Sequence, residues 1–171
     1  MFIRSELADD IDGIAAVVAE AFRRAGSGQT PPEVGLVAAL RAGGDWIPGQ
    51  SLVAIEEGVV VGHCLCTRAS VEEDPVLALG PLAVMPDRQG KGIGSALMDE
   101  AMGIAADTGE PLIGLLGDPG YYRRFGFVPA DDVGIEAPDP GWGHHFQVLT
   151  LPAYRGEAGR FAYPEPFAQV S

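Results

Sequence analysis

The stretch that decides the fold runs from Leu82 to Leu97 and reads LAVMPDRQGKGIGSAL. It begins as an apolar strand, is closed by Pro86, and continues into a turn with glycine at alternate positions, namely Gly90, Gly92 and Gly94. Glycine lacks a Cβ atom, so the main chain of such a turn can approach a ligand closely. The helix that follows presents unpaired N–H groups and the positive end of its dipole, which favour phosphate oxygens. The stretch therefore predicts a phosphate-binding turn between a strand and a helix.

Two common phosphate-binding motifs do not fit this turn. A Walker loop requires Ser or Thr after its lysine, whereas Lys91 is followed by Gly92. A dinucleotide fingerprint requires G-x-G-x-x-G after the first strand, and the alternate glycines have a different spacing. A nucleotide bound in some other way, and a turn that only reverses the chain, remain as alternatives.

The turn resembles that of a known family. Residues 89–94, QGKGIG, match the signature [QR]-x-x-G-x-[GA], and the stretch as a whole is similar to the GNAT superfamily of N-acetyltransferases. The resemblance implies that acetyl-CoA is the acyl donor, and no metal is expected because the cysteines and histidines lack a metal-ligand spacing. It also implies that the main chain of the turn holds the pyrophosphate and that the preceding strand binds the pantetheine arm. The cofactor-binding residues implied in this way are Leu82, Ala83, Val84, Gln89, Gly90, Lys91, Gly92, Ile93, Gly94 and Ser95.

A second motif lies about 30 residues further on. Residues 122–127, YRRFGF, read Y-x-x-x-G-F, and GNAT members carry this element in the same order. The resemblance implies that Tyr122 protonates the departing thiolate of coenzyme A. A phenol has a pKa of about 10, close to that of an alkyl thiol, so this transfer is not strongly uphill. The alternative is that Tyr121, Tyr122, Phe125 and Phe127 form an aromatic cluster that holds a short helix to the sheet.

The order of strands and helices predicts a single α/β domain over residues 1–171. Apolar spacing predicts helices near 11–22 and 92–106, and Pro31 and Gly43-Gly44 delimit another near 31–41. Asp118-Pro119 predicts the start of a short fourth helix, with Gly126 as its left-handed terminator, and Glu57-Gly58 predicts a hairpin turn. By resemblance this is a GNAT-type domain, with a mixed central sheet flanked by helices and splayed to leave a slot for acetyl-CoA. The tail from about 152 to 171 is expected to pack irregularly on the surface.

The group that deprotonates the amine is not identified by the sequence. The candidates are Glu72, Glu73 and Asp74, which precede the cofactor-directing strand, and His63 on its neighbour. Each has an ordinary alternative, as a solvated loop or a polar strand residue. Cys64 and Cys66 point to one face of a strand and are expected to be small buried side chains rather than metal ligands.

Composition limits the partners. The formal net charge is −13, which disfavours binding to nucleic acid and tolerates a cationic substrate. The sequence has no apolar run of the ~20 residues that span a bilayer and no secretion signal, so a cytoplasmic location is expected. The sequence thus predicts an acetyl-CoA-dependent N-acyltransferase that acts on a primary amine of a small molecule or peptide by direct attack. The alternative is a non-catalytic acyl-CoA sensor or subunit, and a homodimer is left open.

Overall fold

The structure is a computed structural model that describes residues 1–170. These residues form nine strands and four α-helices. In chain order they are β1 (Phe2–Ser5), α1 (Ile11–Ala21), α2 (Pro32–Ala42), β2 (Trp46–Glu56), β3 (Val59–Val71), β4 (Asp74–Val84), α3 (Ile93–Asp107), β5 (Leu112–Leu116), α4 (Pro119–Tyr122), β6 (Val128–Pro129), β7 (Ile135–Glu136), β8 (Phe146–Thr150) and β9 (Gly159–Ala162). The mixed α/β class that the sequence predicts is confirmed.

The chain divides into two compact units. The first consists of Met1–Cys66, Gly80–Ala101 and the residues from Glu165 onward, and the second of Thr67–Leu79 and Met102–Pro164. The strands β3 and β4 and the helix α3 contribute residues to both units. The single domain expected from the sequence stays a prediction.

In the first unit the sheet order is β1-β2-β3-β4, and β1 pairs with β2 in antiparallel fashion. The turn between β2 and β3 places Glu57 and Gly58 at φ 51° and 79°, the geometry of a tight hairpin. The hairpin predicted at these two residues is thus present. Both amino-terminal helices bury their apolar face because side chains three and four positions apart share one side. The resulting core contains Ile14, Val17, Val18, Leu36, Val37, Leu40, Val53, Ile55, Leu65 and Ala83.

In the second unit β4 and β5 run parallel, with Leu77 opposite Ile113 and Ala78 opposite Gly114. Antiparallel partners follow, because β8 pairs with both β5 and β6. A parallel pair needs a crossover connection, and the segment from Met85 to Pro111, which contains α3, supplies it. The strand β5 is apolar throughout, and Leu112, Ile113 and Leu115 are buried as expected for a central strand.

The carboxyl-terminal tail differs from the prediction of irregular surface packing. Its residues 159–162 form β9, which pairs antiparallel with β3 and parallel with β7. Phe161 is fully buried and packs on Phe146, with their ring centroids 5.0 Å apart. The Phe161 ring also lies directly over Gly114, where a Cβ atom would be 2.4 Å from it. No local pattern in the sequence predicts this contact, because it joins residues 47 positions apart.

This contact predicts that Gly114→Ala destabilises the protein. The added methyl group must displace a buried aromatic ring, a type of overpacking that costs about 1–3 kcal/mol. Thermal unfolding followed by circular dichroism measures the change. The control is Gly103→Ala, because Gly103 lies in α3 with nothing within 4 Å of its added Cβ. It should leave the midpoint unchanged or raise it slightly. Equal midpoints for the two variants would contradict the packing of Phe161 on Gly114.

Candidate active site

The glycine-rich turn is attached to the end of β4 by hydrogen bonds. Met85 donates from its backbone N–H to the carbonyl of Val61 (2.9 Å), so the chain leaves β4 in register with β3. A single 3-10 turn follows over Pro86–Arg88. The side chain of Gln89 then reaches back and donates from Nε2 to the carbonyl of Val84 (3.1 Å). The first residue of the QGKGIG signature therefore fixes the turn against the strand that precedes it.

Two glycines of the turn have backbone angles that favour glycine. Gly90 and Gly92 lie at φ 77° and 87°, in the left-handed region where a side chain is strained. A Cβ atom added at either position would meet nothing within 4 Å. Glycine at these positions is therefore required by the path of the backbone and not by crowding from the protein. The space beside both residues is open to a ligand.

The start of α3 supplies hydrogen-bond donors at this turn. The first bond within the helix runs from the N–H of Ala96 to the carbonyl of Gly92 (3.0 Å). The N–H groups of the three residues before Ala96 therefore have no acceptor inside the helix. Ile93 anchors this end of the helix, because its side chain is buried and lies against Gly62 of β3. A helix start of this kind suits an anionic group such as a diphosphate.

The two basic side chains of the turn have different surroundings. Arg88 forms an ion pair with Glu56, with Nε 2.9 Å from Oε1, so part of its charge is already compensated. Lys91 is exposed and is the single lysine in the sequence. Of the two, Lys91 is better placed to meet a ligand phosphate.

Tyr122 belongs to the second unit and lies at the end of α4. The side chain of Asp118 caps this helix by accepting a hydrogen bond from the N–H of Gly120 (2.9 Å), and the carbonyl of Asp118 accepts from the N–H of Tyr122 (3.1 Å). A 3-10 turn over Arg123–Phe125 continues from α4, and Gly126 ends this turn at φ 100°. The cap and the left-handed terminator that the sequence predicts at these residues are therefore both confirmed.

The ring of Tyr122 packs in two directions. It forms edge contacts with Tyr121 and Phe127, at centroid distances of 4.9 Å and 5.9 Å. It also covers Gly117, where an added Cβ would lie 2.6 Å from the ring. The aromatic cluster considered from the sequence is therefore present. Tyr122 itself is only half-buried, so packing does not prevent a chemical role for its hydroxyl.

Comparison with known proteins places this arrangement in a family. The acetyltransferase (GNAT) domain model matches residues 48–129, which include the turn and Tyr122. The chain is 32% identical over 172 aligned positions to the uncharacterized N-acetyltransferase YhbS of Escherichia coli, covering 98% of both proteins. The chain belongs to the GNAT family. It is also 40% identical to the uncharacterized N-acetyltransferase YjhQ of Escherichia coli K12, over 63% of this chain and 62% of that protein.

Solved structures of GNAT proteins agree with this assignment. The crystal structure of Escherichia coli YhbS in complex with CoA superposes with a TM-score of 0.86 and 30% identity, covering 98% of this chain and 91% of that one. A GNAT acetyltransferase from Brucella melitensis in complex with acetyl-CoA gives a TM-score of 0.78 and 36% identity, with 97% of each chain covered. The GNAT fold that the sequence resembles is therefore confirmed. Among the described residues, no helix of this GNAT protein is both long and apolar enough to cross a bilayer.

The acidic candidates for the base lie in the turn between β3 and β4. Glu72 has a left-handed backbone, at φ 52°, and its carboxylate accepts a hydrogen bond from the N–H of Arg160 (2.6 Å). The N–H of Glu72 donates in return to the carbonyl of Arg160 (2.9 Å). These two hydrogen bonds join the turn to β9, and they give Glu72 a structural role that does not require catalysis. Glu73 and Asp74 are exposed at the same turn.

His63 is the most buried of the candidates and lies in a polar network of the first unit. Its Nε2 is 2.8 Å from the hydroxyl of Ser51, which is 2.5 Å from a carboxylate oxygen of Glu6. Glu6 in turn accepts two hydrogen bonds from the guanidinium of Arg41. Ser51 donates its hydroxyl proton to Glu6, so Ser51 accepts from Nε2–H of His63. When the ring is neutral, its proton is therefore on Nε2.

Burial lowers the pKa of His63 to about 4, because the charged ring would lose its hydration. The folded protein thus binds this proton less readily than the unfolded chain, whose histidine titrates near 6.5. The contribution of His63 to the free energy of unfolding is therefore complete above pH 6.5. It is lost as the pH falls from 6.5 towards 4, by about 1.4 kcal/mol per pH unit.

Chemical denaturation of the wild type and of His63→Gln at pH 7.5, 6, 5 and 4.5 tests this expectation. The glutamine keeps a donor for Ser51 but does not titrate in this range. The wild type should lose more stability than the variant as the pH falls, so the difference between them should be constant above pH 6.5 and change with pH below it. A difference that stays constant over the whole range would show that His63 titrates normally in the folded protein.

Proposed function

We propose that this GNAT protein transfers the acetyl group of acetyl-CoA to a primary amine. The observation that carries the proposal is the turn at Gly90 and Gly92, which is open on its ligand side and leads into three helix-start N–H groups. The amine nitrogen attacks the thioester carbonyl directly and gives up a proton, a new N–C bond forms, the C–S bond breaks, and the departing thiolate takes a proton. No covalent intermediate with the enzyme is needed.

The proposed donor site uses the residues that the sequence picks out. The main chain of Gln89, Gly90, Lys91, Gly92, Ile93, Gly94 and Ser95 receives the pyrophosphate, with Lys91 as a further cationic contact. The main chain of Leu82, Ala83 and Val84 receives the pantetheine arm, and N–H groups near Leu82 and Val84 polarise the thioester carbonyl as negative charge develops there. The half-buried side chains of Leu82 and Val84 are consistent with a strand end that is accessible to a ligand.

The first prediction concerns Gly92. A Gly92→Ala variant places a methyl group on the open side of the turn and strains a left-handed backbone. We expect its dissociation constant for CoA to rise at least about tenfold, as measured by isothermal titration calorimetry. The matched control is Gly58→Ala, which has the same kind of backbone (φ 79°) and equally open space at the β2–β3 turn. If both variants bind CoA equally, the turn is not the pyrophosphate site.

The second prediction uses the single lysine of the chain. An amine-reactive acetylating or biotinylating reagent can modify only Lys91 and the amino terminus, and Lys91 is exposed. Saturating CoA should slow the modification of Lys91 at least about fivefold, since the ammonium is then paired with phosphate. Peptide mass spectrometry measures the rate, and the amino terminus is the internal reference. Equal rates with and without CoA would remove Lys91 from the donor site.

The third prediction concerns Tyr122, to which we assign protonation of the leaving thiolate. Tyr122→Phe keeps the ring contacts with Tyr121 and Phe127 but removes the hydroxyl, so kcat should fall by about tenfold or more while the midpoint of thermal unfolding changes little. Tyr121→Phe is the control, because it removes a hydroxyl from the neighbouring ring and should retain nearly full activity. An undiminished kcat for Tyr122→Phe would remove Tyr122 from the mechanism.

The acceptor is proposed to be a cationic amine of a small molecule or peptide. The net charge of −13 favours such a substrate, and a surface pocket of about 400 Å³ in the second unit carries two carboxylates and one guanidinium on a partly apolar wall. Its lining includes Asp131, Ile135, Glu136, Phe146 and Arg160. Thiol release from acetyl-CoA, followed across polyamines, aminoglycosides, amino acids and peptides, tests the proposal. Tight binding of acetyl-CoA without turnover on a broad panel would favour the non-catalytic sensor.

A further inference from the structure

The surface pocket of the second unit combines an apolar wall with three charged residues. Its volume of about 400 Å³ lies within the range of small-molecule sites, roughly 300–1,000 Å³. The apolar wall consists of the buried residues Ala130, Ile135 and Phe146. The charged residues at the pocket are Asp131, Glu136 and Arg160, and all three are exposed. Such a lining suits a ligand that carries both charged groups and an apolar part.

Two of the charged residues are neighbours across a strand pair. Glu136 of β7 lies directly opposite Arg160 of β9 in their parallel pairing, so the two side chains leave the strands on the same face. Within the part of the chain that the structure describes, no ion pair involves either of them. An exposed ion pair adds little stability in any case, so both groups are available to a ligand.

The backbone of Arg160 is fixed independently of its guanidinium. Its N–H donates to the carboxylate of Glu72 (2.6 Å), and its carbonyl accepts from the N–H of Glu72 (2.9 Å). These bonds hold β9 beside the pocket and do not use the Arg160 side chain. A substitution at Arg160 therefore removes the charge from the pocket without removing the contacts that place the strand.

The third charged residue, Asp131, lies in a 3-10 turn over Ala130–Val133. The carbonyl of Asp131 accepts from the N–H of Gly134 (3.3 Å), which closes the turn. Its carboxylate is 3.9 Å from Nε2 of His144, which is too far for a hydrogen bond. The carboxylate of Asp131 is therefore also available to a ligand.

The charges of the pocket indicate the class of ligand. Two carboxylates and one guanidinium give it one excess negative charge. A guanidinium binds a carboxylate through two parallel hydrogen bonds, and Glu136 beside it can accept from an ammonium on the same carbon atom. Asp131 can accept from a second ammonium, and the apolar wall can cover the methylene groups between them. A ligand with one carboxylate and two ammonium groups matches all three charges.

We propose that this pocket binds a basic α-amino acid, with its carboxylate on Arg160, its α-ammonium on Glu136 and its second ammonium on Asp131. Diamines without a carboxylate are disfavoured because Arg160 repels them, and neutral amino acids leave Asp131 without a partner. The inference names the class of acceptor for the proposed acetyl transfer, and its kinetic consequence rests on that proposal. The binding itself does not.

Three probes that differ by one group each test the binding. They are L-lysine, L-norleucine, which lacks the second ammonium, and cadaverine, which lacks the carboxylate. Titration of the intact protein without CoA, followed by amide nuclear magnetic resonance, gives both the dissociation constant and the location. L-lysine should bind at least about threefold more tightly than either other probe. The amide signals of Gly134, Ala137 and Gly143, which line the pocket, should shift.

Paired variants assign each contact. Arg160→Gln should weaken L-lysine at least about threefold without weakening cadaverine, because only L-lysine has a carboxylate. Its control is Arg155→Gln, which removes the same charge from an exposed residue that does not line this pocket. Asp131→Asn should weaken L-lysine at least about threefold and leave L-norleucine within about twofold. Its control is Asp132→Asn at the next position, which is exposed and outside the lining.

The outcomes separate this inference from the proposed function. Equal affinity for the three probes, or equal effects of a variant and its control, would overturn the inference, whatever the Gly92 and Tyr122 variants show. Bound L-lysine that is not acetylated, while another amine of the panel is, would show that the pocket is not the acceptor site. If no amine is acetylated, the proposed function fails, and the titrations still decide which ligand the pocket binds.

Discussion

The proposed donor site of this protein depends on N–H groups at the start of α3 that have no acceptor within the helix. Because the helix closes its first bond between Ala96 and Gly92, three preceding N–H groups have no acceptor within it. Two left-handed glycines direct the chain into this position and keep the adjacent space empty of side chains. The Gln89 side chain fastens the turn to Val84, so the strand and the donors are fixed relative to each other. Each of these features is local, which is why a short sequence signature can specify them.

How much of the structure can be predicted from the sequence depends on whether a contact joins neighbouring or distant residues. The turn, the Asp118 cap, the Gly126 terminator and the Glu57-Gly58 hairpin all depend on neighbouring residues, and the sequence predicted each of them. The tail strand was missed, since pairing of Ser70 with Ala162 has no short-range signal. The hydrogen bond from the side chain of Gln147 to the carbonyl of Gly117 (3.1 Å) was missed for the same reason, because it joins residues 30 positions apart.

The polar network around His63 illustrates a different limit. From the sequence, His63 is a candidate for the base of the reaction. No neighbouring residue distinguishes this role from that of an ordinary polar strand residue. The structure supplies the distinction through Ser51 of β2, Arg41 of α2 and Glu6, which follows β1. A ring that is fully buried and held neutral is poorly suited to take a proton from an ammonium group. The network therefore resembles a core polar cluster more than a catalytic one.

The pairing of β9 with β3 has a consequence for how the chain folds during synthesis. Ser70 and Ala162 are separated by most of the length of the second unit. The strand β9 therefore cannot pair with β3 until residue 162 has left the ribosome. Contacts of such long sequence separation form late because a large loop must first be closed. Until then the apolar face that receives Phe161 is uncovered, and exposed apolar surface of this kind promotes aggregation.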